Sequence, residues 1–377
     1  MPRTKRSVLL VSRPVAPPWD EASKNFARDL AQNIQGFDLN ILVNKKVEGL
    51  SKKVNQLPIY SRPALSWSQR LRLLKLRLDG KHYDIVHFLF TPTKLNSRLT
   101  RALAKKADKS VQTIATLRSA YANERDLHKI FHADLIVTYS DWAKSKLKQA
   151  GLPNVERIYP GIDLANYQPR PKDKKLAKVL GIEPGDFVIT YPGEYVRLGC
   201  TDMLAEMLPD LMKKLPQAKF VFACRIKNHA DAIKKESVVK QLEAAGIGER
   251  VVYTDTLRDM AGLYNLSDVV VFPVSNMEGK FDVPLAVIEA MACAKPVIIS
   301  DLPILAEFTT DQTALVVPAG DGQALGSLIE KLYKDMALRK RVGNKALGLA
   351  RRDFDIKSVA GRYEKAYQDL LNGGQDA

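Results

Sequence analysis

Short apolar runs alternate with stretches of helical period along the whole chain. Val8–Ser12 (VLLVS) reads as a strand buried on both faces. After a proline-rich loop, Ala22, Phe26, Leu30 and Ile34 recur at helical spacing and give one apolar helix face. Leu39–Val43, Ile85–Phe90, Val111–Thr116, Leu135–Tyr139 and Arg157–Tyr159 read as further strands. Helical patterns lie between them, one of them running from Asp141, placed to cap it, to Ala150. The second half repeats the scheme with Phe187–Tyr191, Lys219–Cys224, Val251–Thr254, Val269–Val274, Pro296–Ser300 and Ala314–Val317. Strands that alternate with helices imply right-handed crossovers and parallel sheets. Two such sets predict an α/β chain of two doubly wound domains. Their join falls in PGIDLANYQPRPKDKK, a linker rich in proline and charge around residues 160–178. Ligands of such sheets bind beyond the carboxyl ends of the strands, so the loops there are where chemistry is sought.

A length of 377 residues suits two domains, and 46% hydrophobic with 27% charged residues is the mix of a globular protein. No run approaches the roughly 20 apolar residues that span a bilayer. The apolar stretch Val8–Val11 is also shorter than the ~7–15 residues of a signal-peptide core. Cys200, Cys224 and Cys293 are odd in number and far apart, which excludes a disulfide framework or a cysteine zinc site and points to a reducing cytoplasm. Charge is unevenly placed. Residues 1–165 hold 29 Lys and Arg against 14 Asp and Glu, while the rest of the chain holds 29 against 28. The first half is therefore expected to face something anionic. Within it, Ser66–Lys81 reads as one basic amphipathic helix, with Trp67, Leu71, Leu74 and Leu78 along one face and Arg70, Arg72, Lys75 and Arg77 supplying charge. Two readings stand: a helix lying in an anionic membrane interface, or one packed on the sheet by its leucines. Dinucleotide-fold, P-loop and zinc-protease motifs are absent, as is any recognised nucleic-acid module, so no nucleic-acid partner is expected. Asp353 and Asp355 form a D-x-D string that reads as a helix cap.

Three segments carry a family resemblance: ADLIVTYSDWAKSKL (Ala133–Leu147), YPGIDLANYQP (Tyr159–Pro169) and KFDVPLAVIEAMACAKPVIISDLPILAEF (Lys280–Phe308). In sequence and order they resemble the family 4 retaining glycosyltransferases, and the likeness runs from VLLVS to the helix containing Tyr363. The resemblance implies a GT-B architecture of two Rossmann-like doubly wound parallel-sheet domains facing across a cleft. The domains would be 1–165 on the acceptor side and 166–355 on the nucleotide-sugar side, with 356–377 packing back toward the first. It implies a nucleoside diphosphate sugar as donor substrate, no metal and no further cofactor. Glu289, read as opening the EAMA helix, matches the glutamate that grips the ribose; as a plain residue it is a favourable charge in a first helical turn. Lys280, Val283 and Pro284 before that helix are further donor-side candidates, and Thr256 stands where backbone contacts to the base are expected.

The departures are as informative. The family's second glutamate, eight positions before the EAMA glutamate, is here Phe281, with Asp282 beside it as the substitute. The arginine and lysine that neutralise the donor diphosphate fall on Glu194 and Gly199 in GEYVRLGC. A departing diphosphate still needs cations. Arg197 in the same loop is the first candidate, and Arg225 and Lys227 after KFVFAC are the next; all three also fit a solvated surface. The first loop, Pro17–Asn25, lacks the family's glycines, and Ala115 replaces a common histidine. His87 matches another family histidine, with a core histidine as its alternative reading. The expectation is a retaining glycosyltransferase, cytoplasmic and peripheral on the inner membrane face, acting on a glycan or lipid-linked acceptor. The alternative is a non-catalytic nucleotide- or glycan-binding relative on the same fold.

Overall fold

A computed structural model describes residues 5–17, 19, 21–62, 66–78, 80–89, 92–117 and 124–373. Phe90, the end of one expected strand, the last four residues of the tail, and the side chains of Trp67, Arg77 and Leu78 lie outside the described residues. The chain divides into two units, Met1–Asp163 with Asp353–Ala377, and Leu164–Arg352.

The first unit holds β1 (Ser7–Ser12), β2 (Asp38–Leu42), β3 (Val54–Leu57), β4 (Tyr83–Leu89), β5 (Ala107–Ile114), β6 (Leu135–Thr138) and β7 (Val155–Arg157). They form one parallel sheet in the order β3-β2-β1-β4-β5-β6-β7. β1 is buried at every residue, as a central strand covered on both faces must be. Aspartates tie neighbouring strands together: Asp84 Oδ2 accepts from Ser7 N at 2.6 Å, and Asp134 Oδ2 accepts from Ser110 N at 2.7 Å. The closing helix Ile356–Asn372 belongs to this unit, where Tyr363 and Tyr367 pack against Phe26 and Phe37. Asp355 caps that helix by accepting from Lys357 N at 3.1 Å, so the D-x-D string is a cap here.

The second unit holds β8 (Phe187–Tyr191), β9 (Ala218–Phe222), β10 (Val251–Tyr253), β11 (Val269–Phe272), β12 (Val297–Ser300) and β13 (Leu315–Val317). They pair in parallel as β10-β9-β8-β11-β12-β13. The order reverses between β8 and β11, so this unit's switch point lies between the loops that follow those two strands.

Two local expectations are corrected. Ser140, not Asp141, caps the helix Asp141–Gln149, its Oγ accepting from Ala143 N at 3.1 Å. The basic segment is two short helices, Trp67–Arg72 and Lys75–Leu78, rather than one. Its core-facing leucines are Leu73 and Leu76, whereas Leu71 and Leu74 stand 49% and 39% exposed. Among the described residues no helix is long and apolar enough to cross a membrane.

Candidate active site

The loop Pro192–Cys200 after β8 turns on Tyr191, a wholly buried side chain. Its hydroxyl donates to Glu194 O at 3.2 Å and accepts from Cys200 Sγ at 3.1 Å. Burial pushes the Cys200 thiol up to about 12, so it remains the donor. A Cβ on Gly193 would fall 1.9 Å from the Tyr191 ring, so no other residue fits there. Gly199, at the place of the family's lysine, has φ +71°, a backbone that a lysine adopts only with strain. The loop is zipped to the one after β11: Ser275 N donates to Leu198 O at 2.9 Å and Asn276 Nδ2 to Arg197 O at 3.3 Å.

Glu194 is 3% exposed, and its carboxylate meets three cations. It accepts from Lys227 Nζ, on the loop after β9, and from Lys280 Nζ, on the loop after β11. Arg197 Nε lies 3.3 Å from its other oxygen. Burial would raise the Glu194 carboxyl, but Lys280 and Lys227 outweigh it and hold the group below its ordinary value. Lys280 is also shifted down, first by burial and then by Lys227 and Arg197, against the pull of Glu194. A simple ion pair would raise the lysine. The downward shift reflects burial first, with Lys227 and Arg197 adding to it, and three cations on one carboxylate leave a positive surplus of two. Lys227 is fixed further by its backbone N–H, which donates to buried Asp231 at 3.1 Å.

Glu289 lies in the second turn of the helix Leu285–Ala292 and does not open it, because Pro284 already sets the helix start four residues before Ile288. A helical side chain leans toward the N-terminus, so the carboxylate still lies over the first turn. Buried Tyr264, which burial and then the Glu289 charge keep protonated, donates to Glu289 Oε2 at 3.3 Å. Asp282 and Val283 are buried just before that helix, with Pro284. Arg225 is half-buried on the loop that carries Lys227, and Thr256 is exposed after β10.

His87 is corrected to a core residue. It has no exposed surface, Nδ1 is 2.6 Å from Tyr367 Oη, and Nε2 is 2.7 Å from Thr113 Oγ1. Burial lowers it to about 3, so it is neutral and has both nitrogens engaged. It offers no group to an acceptor.

Residues 23–166 match glycosyltransferase family 4, and residues 186–335 match glycosyl transferases group 1. The chain is a GT-B glycosyltransferase of the family 4 type. This glycosyltransferase is similar to the lipopolysaccharide core biosynthesis mannosyltransferase LpcC of Rhizobium leguminosarum bv. viciae, at 28% identity over 278 residues, 72% of this chain and 74% of that one. The putative glycosyltransferase EpsD of Bacillus subtilis is 24% identical over 318 residues, 79% of this chain and 81% of that one. Among solved structures, the fold matches a sucrose-phosphate synthase from Thermosynechococcus elongatus with a TM-score of 0.77 at 18% identity, covering 98% of this chain and 100% of that one. It also matches Anabaena HepE in complex with UDP-glucose with a TM-score of 0.75 at 17% identity, covering 96% and 99%.

The glycosyltransferase thus gathers Arg197, Lys227 and Lys280 at one point of the second unit. Sequence reasoning named all three cations but missed Glu194 as their common partner. The signal was a carboxylate standing where the family places an arginine.

Proposed function

We propose that this glycosyltransferase is a retaining hexosyltransferase that takes its sugar from a nucleoside diphosphate donor, works without a metal, and delivers to a glycan or lipid-linked acceptor. The cluster of Arg197, Lys227 and Lys280 on one buried carboxylate carries the proposal. Arg197 and Lys280 come from the two loops of the switch point and Lys227 from the adjacent loop after β9, where open α/β sheets receive ligands. When the bond between the anomeric carbon and the diphosphate breaks, charge grows on the departing oxygen. Cations already in place stabilise that charge without rearranging. Lys227 and Lys280 supply ammonium donors, and Arg197, 46% exposed, supplies a planar fork suited to phosphate oxygens. Glu289, steadied by Tyr264, accepts from the ribose hydroxyls, and Asp282 from the sugar. The acceptor oxygen forms the new bond on the face the diphosphate leaves, and its proton passes to the departing phosphate oxygen; this retains configuration. LpcC, by its name a lipopolysaccharide core mannosyltransferase, supports a hexose donor and a glycolipid acceptor.

The test is a thermal-shift screen against UDP-, GDP-, ADP- and dTDP-sugars, followed by turnover of the hit in EDTA. A ligand that binds only the native state raises the melting temperature. One nucleotide class should do so, and turnover should persist in EDTA. No shift with any donor, or turnover abolished by EDTA, contradicts the proposal.

A second reading concerns location. We infer a cytoplasmic protein held at an anionic membrane surface. Leu71 and Leu74 stand exposed beside Lys75, an arrangement that lets a short segment rest in a lipid interface, whereas Arg70 and Arg72, expected there too, are half-buried and donate to Asn96 Oδ1 at 3.1 Å and to Ile59 O at 2.8 Å.

A further inference from the structure

Three cations do not converge by themselves. Arg197, Lys227 and Lys280 arrive on the loops after β8, β9 and β11, and like charges so close repel one another. We propose that Glu194 is the positioning residue of this clamp: its buried carboxylate draws the three side chains from separate loops onto one point and presents them, with a net surplus of positive charge, to a diphosphate. The inference rests on the donor reading given above and adds to it a residue that touches neither sugar nor nucleotide.

The geometry has the marks of a built hub. The Glu194 side chain is 4% exposed, whereas those of Lys227 and Lys280 are 24% and 25% exposed and that of Arg197 is 46% exposed. The anion is sealed beneath and the cations reach toward solvent. The carboxylate is held from behind, because the Glu194 backbone is tied on both sides to the Tyr191 hydroxyl. Each oxygen has its own partners: the two lysines meet Oε1 and Arg197 meets Oε2. A simple surface ion pair needs none of this.

The arrangement also sets which protonation states are available. Among the described residues, the charged groups facing Lys280 are Glu194, Lys227 and Arg197, and of these Glu194 alone favours its ammonium form. Without that carboxylate, burial and two neighbouring cations would drive Lys280 toward the neutral amine, which is a poor partner for phosphate. Glu194 therefore acts on the donor through Lys280.

Two readouts test this on the full-length protein. The first is independent of any donor: amine-specific acylation of Lys280, followed by peptide mass spectrometry across pH. In Glu194→Gln the pH at which Lys280 becomes reactive should fall by about one unit or more, a ~10-fold gain in reactivity at fixed pH. An unchanged profile overturns the proposal. The second is the affinity for inorganic pyrophosphate and for the four nucleoside diphosphates. Glu194→Gln should bind ~10-fold or more weakly than wild type at pH 8, with the loss growing as pH rises. Tighter binding in Glu194→Gln would make Glu194 a competitor of the phosphate and would also overturn the proposal. Glu194→Asp keeps the charge and serves as the conservative variant, so it should restore the alkaline limb that Gln loses. Equal loss in Asp and Gln, with the same drop in melting temperature, marks a merely structural residue and overturns the proposal as well. Wild-type protein that binds neither pyrophosphate nor any nucleoside diphosphate removes the donor reading, while the acylation profile still decides whether Glu194 governs Lys280.

Discussion

Lys280 shows how much one neighbour decides. It sits among cations, mostly buried, and one carboxylate is the neighbour that favours its ammonium form. Its loss should therefore cost more than that of a surface lysine. Lys280→Met and Arg197→Gln are each expected to lower kcat/KM by roughly 10²–10³, the scale seen when a preorganised donor to developing charge is removed. Arg225→Gln should cost less than Arg197→Gln if Arg197 is the main clamp; steady-state kinetics on the three variants checks the order. Glu289→Ala should weaken nucleotide binding by about 1–3 kcal/mol, the usual cost of losing a charged hydrogen-bond partner, and titration calorimetry reads this directly. His87 gives a pH prediction of definite sign. Its folded value is lowered to about 3 from 6.5, so below pH 6.5 the unfolded chain takes up the proton before the folded one does. The contribution of neutral His87 is complete above pH 6.5 and is lost as pH falls toward 3. Between pH 7 and pH 5 that is about 2 kcal/mol. Urea unfolding at both values should show a steeper loss in wild type than in His87→Gln, and equal slopes would refute the assignment.

At the scale of elements, the strand pattern was legible because central parallel strands are unbroken apolar runs. FVITY marks β8 at the bounds the structure gives it. VNQL, which forms edge strand β3, carries no such run, and its one buried residue is Val54. The basic segment was misread for a definite reason. Leucines at 71, 73, 74, 76 and 78 surround the axis, and periodicity alone does not choose between two stripes. The sheet took Leu73 and Leu76 and left Leu71 and Leu74 outside. The site was half legible for a similar reason. Arg197 shares a loop with Glu194, but Lys227 and Lys280 lie far off in sequence and meet it only through the strand order β9-β8-β11. The exposed leucines make a prediction at this scale. Anionic liposomes should retain the protein, and Leu71→Ser with Leu74→Ser and Lys75→Gln should reduce retention in co-sedimentation. Equal retention by neutral liposomes would reject the electrostatic part of the account.

Over the whole molecule, the first unit holds 32 Lys and Arg against 19 Asp and Glu, and the second holds 26 against 23. The basic character of the chain therefore belongs to the unit that carries the exposed leucines. The second unit is nearly balanced, and its positive surplus at the clamp is local. That contrast separates two salt effects: liposome binding should fall steeply with ionic strength, while the partly buried clamp is screened less. The central claim is that the clamp is where a diphosphate is held. Its most direct test is the affinity of the cognate nucleoside diphosphate relative to its uncharged nucleoside, in wild type and in the double variant Lys227→Met, Lys280→Met. Wild type should prefer the diphosphate by ~10²-fold or more, as two charge-assisted contacts require, and the double variant should lose most of that preference. A double variant that keeps the full preference would contradict the account.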